Sequence, residues 1–143
     1  GMGYFVAQGQ LNTPFFLFIL PLSFYGLFFI ITVELPDIKC DTFANKKTLV
    51  VKIGQKNGKI ISFLATLTAT IYFTIISYLK IAKSIIDWIP FIIFSALPLV
   101  ASIISMLSKT NNQKSLTKQV MLNIISLTLF VTLLITILLL KNV

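Results

Sequence analysis

The chain has 143 residues, 57% of them hydrophobic and only 11% charged, with a mean hydropathy of +0.96. Soluble domains carry about 45–50% apolar and about 25% charged residues. This composition therefore excludes disorder, a soluble globular enzyme and a disulfide-stapled secreted module. There is no histidine, which removes imidazole catalysis and most zinc or haem sites, and the single Cys40 supplies neither an internal disulfide nor a thiolate cluster. The net charge of +8 comes from lysine alone. The lysines border apolar runs, which is a membrane-topology signal rather than a nucleic-acid-binding pattern.

Residues 1–10 hold a short apolar stretch that reads as the last turns of a helix or as an interfacial segment, with no positive region of a secretory signal before it. A start at Gly1 reads as a tag remnant or as a piece of a longer protein. Residues 13–33 form the first full span, uncharged, with Pro14 near its start and Pro21 in its middle. Pro21 is expected to kink this helix, and a neighbouring helix is expected to satisfy the carbonyl it frees. Residues 34–59 are the one long polar segment, with six of the twelve lysines and three of the four acids. Gly54 and Gly58 read as turn formers near its end, so their GxxxG spacing lies in a loop. Residues 60–79, 88–107 and 119–140 are the second, third and fourth spans, with Trp88 where an interfacial anchor belongs. A polar connector, 108–118, carries three more lysines.

The spans alternate sides, so the 34–59 and 108–118 loops share one face with nine lysines between them, against Lys80, Lys83 and Lys141 on the other. This bias predicts both loops in the cytoplasm. Ser62, Thr66, Thr70 and Thr74 recur every fourth residue, as do Thr128, Thr132 and Thr136, while Ser95, Pro98, Ser102 and Ser105 follow a heptad-like spacing. Such stripes predict close helix packing with weak interhelical hydrogen bonds. A polar substrate path is the competing reading.

Glu34, Asp37 and Asp41 are spaced three and four apart, so at helical pitch they fall within about 60° of arc. Like charges on one face repel, and an oxygen-only carboxylate group without histidine suits Mg²⁺, which usually bridges to substrate phosphates. Lys46 and Lys47 stand close enough in sequence to take up phosphate charge. The plainer reading is that acids collect in the loop because each costs about 2.5–3.5 kcal/mol in a span, with Pro36 starting a helix and Asp37 favouring its dipole.

The string from Glu34 to Gly54, ELPDIKCDTFANKKTLVVKIG, resembles the second acidic motif of the UbiA-type membrane prenyltransferases. That motif reads roughly D-x-x-D-x-x-x-D, then G-K-x-T-L, then a Leu or Ile before Gly, and the similarity extends over about twenty positions. The resemblance implies an all-α transmembrane bundle: four full spans and the tail of a fifth, the C-terminal half of a nine-helix fold. It implies Mg²⁺-dependent transfer of a prenyl group from a prenyl diphosphate to an aromatic quinone precursor or related lipid-soluble acceptor, through an allylic carbocation. It implies metal ligands Glu34, Asp37 and Asp41, Glu34 standing where an Asp is often found, and diphosphate contacts from Lys46 and Lys47. No residue is assigned as a general acid, base or nucleophile. Asn45 replaces the usual Gly, and asparagine tolerates the left-handed backbone that the glycine provides. The stretch looks closer to the naphthoate and homogentisate branches than to the hydroxybenzoate branch. No first motif of the N-D-x-x-D-x-x-x-D kind occurs in these residues, so an N-terminal half of the same enzyme is the expected partner. The expected setting is the plasma membrane of a prokaryote. A non-catalytic remnant, an assembly partner and a small four-span transporter subunit are the alternatives. Transporters usually place a functional carboxylate within a span, and none of these spans has one.

Overall fold

The computed structural model describes residues 13–81, 86–108 and 113–141. Residues 1–12, where the tail of a further helix is expected, lie outside them. The described residues are helical, with no strand among them: α1 (Thr13–Glu34), a 3₁₀ turn (Leu35–Asp37), α2 (Ile38–Phe43), α3 (Leu49–Ile53), α4 (Gln55–Tyr78), α5 (Ile89–Leu107) and α6 (Gln113–Lys141). Four of these helices, α1, α4, α5 and α6, are long and apolar enough to cross a membrane. Outward faces remain apolar, with Phe16, Leu22, Ile93, Val100, Ile125 and Leu139 among the exposed side chains. A helix apolar all round fits lipid on one side and protein on the other.

The long helices pack in chain order, α1 on α4, α4 on α5 and α5 on α6, with α6 returning to touch α1 and the 3₁₀ turn. Two apolar clusters fill the interior. One contains Tyr25, Phe73, Trp88, Phe91, Phe130 and Leu134. The other, at the end carrying the acids, contains Ile31, Leu35, Val50, Leu116 and Val120. Both polar connections meet at that second end: Gln113 Nε2 donates to the Pro36 carbonyl at 2.8 Å, and Lys59 Nζ donates to the Ser108 carbonyl at 3.2 Å.

Pro21 lies inside α1, which continues through it. Proline has no N–H to give the carbonyl four residues earlier, and that carbonyl, of Leu17, instead accepts from Tyr72 Oη on α4 at 2.8 Å. The expected rescue by a neighbouring helix is thus present, from an identified side chain.

Several sequence expectations change. Both polar loops are shorter than hydropathy suggests, because α4 starts at Gln55 and α6 at Gln113; intrahelical bonding carries a helix past its apolar stretch. Gly58 accordingly sits in the first turns of α4 rather than in a loop. A Cβ there would lie 3.6 Å from Ile31 and 3.7 Å from Leu35 and Val50, so this glycine lets α4 approach α1 and α3 closely. Trp88 is not an exposed interfacial anchor. It is buried between Phe18, Phe73 and Phe91, with its indole N–H donating to the Ile81 carbonyl at 2.8 Å. The α4 and α5 stripes pack in part, with Thr66 and Ser102 buried and their hydroxyls 2.8 Å apart, while Thr74 is exposed and donates to its own helix. The α6 threonines do not. Thr128, Thr132 and Thr136 are exposed and return their hydroxyls to their own helix, three residues back.

Replacing Tyr72 by Phe removes the side-chain donor to the Leu17 carbonyl and is expected to cost about 1 kcal/mol. Thermal unfolding in detergent checks this, and the cost should vanish in a Pro21→Ala background, where the backbone N–H is restored.

Candidate active site at the loop end

The acids are held by a short helical excursion between two spanning helices. Glu34 closes α1, and Pro36 lies in the first turn of the 3₁₀ segment with Asp37 after it, so helical structure begins near the Pro36–Asp37 pair, first as 3₁₀ and then as α2. Asp37 then caps the backbone of α2 without a side-chain bond and points its carboxylate to the exterior. Asp41 lies one turn later on α2, largely buried. Residues four apart on a helix are neighbours, so Asp37 and Asp41 share a face.

The chain reverses after α2 in a tight turn. Ala44 N–H donates to the Cys40 carbonyl, Asn45 N–H to Thr42, and Lys46 N–H to Asp41 at 2.9 Å. Asn45 takes φ = 52°, the left-handed region. The left-handed backbone that asparagine tolerates is therefore present at this turn. The reversal brings Lys46 Nζ within 3.2 Å of Asp41 Oδ1. Lys46 is 66% exposed and Asp41 only 12% at its side chain, so screening makes the pair worth little as stabilisation. Its effect is positional: it sets one oxygen of a buried carboxylate against a cation at the surface. Lys47 is exposed, with no ion pair among the described residues.

α3 then returns the chain to the bundle, and two side chains cap its N-terminal end. Thr48 Oγ1 accepts from Val51 N–H at 3.4 Å, and Glu34 Oε2 accepts from Val50 N–H at 3.0 Å. The free N–H groups at a helix start favour such acceptors. Val50 is fully buried, so this bond closes the segment from residue 34 to residue 50 onto the bundle. Gly54, at φ = 81°, makes the turn into α4.

The three acids therefore differ in their bonding. Glu34 has one oxygen committed to the α3 backbone, Asp41 has one on Lys46, and Asp37 is exposed with neither oxygen bonded among the described residues. Among the described residues no group of three Cys, Asp or Glu side chains stands close enough to hold a metal by itself. The donor chemistry suits Mg²⁺ all the same, since that ion typically takes one or two carboxylates and completes its shell with water and phosphate oxygens. Asp37 and Asp41 fit that description better than a three-carboxylate cluster.

Sequence reasoning missed Lys59. Counted among the surface lysines, it is in fact only 5% exposed, and its ammonium donates to Gln119 Oε1 at 2.7 Å as well as to the Ser108 carbonyl. A polar glutamine at the head of an apolar run, matched to a lysine at the head of another, was the available signal. The two bonds tie α4 to α6 and to the C-terminal end of α5.

Asn45→Val forces a β-branched residue into the left-handed region and is expected to cost about 1–2 kcal/mol. Asn45→Gly should be close to neutral. Thermal unfolding of both variants in detergent checks the turn.

No curated protein and no solved structure matches the chain. The sequence does match the profile of the UbiA prenyltransferase family over residues 1–127, most of its length and inclusive of the whole acidic segment. That match, with no strand and four helices suited to crossing a membrane among the described residues, supports membrane prenyl transfer as the general activity, and the chain belongs to the UbiA prenyltransferase family.

Proposed function

We propose that the full-length protein transfers a prenyl group from a prenyl diphosphate to an aromatic quinone precursor or related lipid-soluble acceptor, in a Mg²⁺-dependent reaction. The observation that carries this reading is the pairing of Asp37 and Asp41 at one end of an apolar bundle, with Lys46 against Asp41 and the family match spanning the same residues. Asp37 and the second oxygen of Asp41 would hold the metal. When bound, Mg²⁺ would neutralise the charge that develops on the leaving diphosphate.

The chain's own residues then have distinct tasks. Lys47, exposed, offers an ammonium to a phosphate oxygen, and Lys46 does the same from its place beside Asp41. Glu34 acts mainly as a positioning residue, because its bond to Val50 N–H fixes the segment that presents the aspartates. The apolar spans admit the prenyl chain and acceptor from the bilayer and exclude the water that would otherwise capture an allylic cation. A second set of carboxylates is expected from an N-terminal half of the same enzyme, and the loop end is assigned to the cytoplasmic side on its lysine content.

The test is a membrane assay of the full-length protein with Mg²⁺, a labelled prenyl diphosphate and a panel of aromatic acceptors. Product should disappear on chelation with EDTA. Asp37→Asn and Asp41→Asn should each lower kcat/KM by more than about 100-fold, beyond what outer-shell partners of a metal usually cost. Glu34→Gln keeps an oxygen for the Val50 N–H and should lose less than about tenfold, whereas Glu34→Ala should lose far more. Full activity in both aspartate variants would reject this site.

A further inference from the structure

Serine and threonine hydroxyls in these helices usually return to their own backbone. Ser23, Thr68, Ser95, Ser102, Ser126 and Thr132 all donate to a carbonyl three or four residues earlier. Thr32 and Ser62 do not. Both are almost fully buried, and their hydroxyl oxygens have no hydrogen-bond partner among the described residues. Asn123, 1% exposed, likewise has an unpartnered side-chain oxygen.

These three residues come from α1, α4 and α6 and lie at one level of the bundle. Their sequence neighbours Ile31, Ile61 and Ile124 pack in a single apolar cluster. The Lys59–Gln119 pair fixes the same level independently: Ser62 lies one turn into the bundle from Lys59, and Asn123 one turn from Gln119. Buried polar groups are nearly always hydrogen-bonded, and lipid offers no partner. Neutral oxygens from two hydroxyls and an amide match the two-to-four polar contacts of an internal water. A cation would find no carboxylate among them and an ammonium one turn away.

We propose that Thr32, Ser62 and Asn123 hold ordered water inside the loop end of the bundle, just below Lys59 and Gln119. This site is separate from the aspartates and does not rest on the prenyltransferase reading. The water bridges α1, α4 and α6 where protein–protein hydrogen bonds are missing.

The test is thermal unfolding of the full-length protein in lipid nanodiscs, with Thr32→Val, Ser62→Ala and their double variant. If water links these groups, each single variant lowers the midpoint by roughly 2–4 °C, and the double variant loses less than the sum. Midpoints that rise, as removal of unsatisfied buried groups would produce, overturn the proposal, as do strictly additive losses. Radiolytic footprinting in ¹⁸O-labelled water gives a second readout that does not depend on stability. Labelling at Ile61 and Ile124, taken relative to Phe73 and Phe130 of the far cluster, should fall in the double variant. Labelling unchanged by substitution means the site is dry.

Discussion

Lipid gives a buried polar group no water to fall back on, so each must find a partner inside the bundle. The helices of this chain are arranged around that constraint. The carbonyl freed by Pro21 draws its donor from Tyr72 on the next helix. Thr66 and Ser102 pair across α4 and α5. Lys59 buries its ammonium against Gln119 and a helix-end carbonyl. These contacts are individually modest, but each crosses between helices. They fix rotation and depth in a core otherwise made of interchangeable apolar side chains.

The same constraint shapes the loop end. Three acids and several lysines cannot enter the spans cheaply, so the chain gathers them at the end of α1 and in the short helical segments that follow. Glu34 and Thr48 satisfy the start of α3, and the left-handed Asn45 turns Lys46 back onto Asp41. What results is a small rigid platform with one aspartate half-committed and one open. Such a platform suits a hard cation shared with a phosphate better than a metal enclosed by protein alone.

Legibility in the sequence follows the strength of the local signal. Four spans are readable because an uninterrupted apolar run of about 20 residues matches the thickness of a bilayer and little else. A helical start near Pro36 and the turn at Asn45 are readable because proline fixes its backbone and asparagine tolerates the left-handed region. The short helices α2 and α3 are not, since five or six residues carry too little periodicity to separate from loop. Trp88 and the α6 threonines are misplaced for a related reason. Residue type says that a tryptophan suits an interface or that a threonine stripe suits packing, but only the rotation of the helix decides which way it faces. Lys59 shows the opposite failure, a charge assumed to be solvated that tertiary packing buries with partners remote in sequence.

The central claim is that Asp37 and Asp41 share a metal with a diphosphate. The most direct measurement is electron paramagnetic resonance of Mn²⁺, as a stand-in for Mg²⁺, titrated into the full-length protein with and without inorganic pyrophosphate. The account predicts bound Mn²⁺ that tightens when pyrophosphate is present and is lost in Asp37→Asn and Asp41→Asn. Mn²⁺ bound equally well by the wild type and both variants, with or without pyrophosphate, would contradict it.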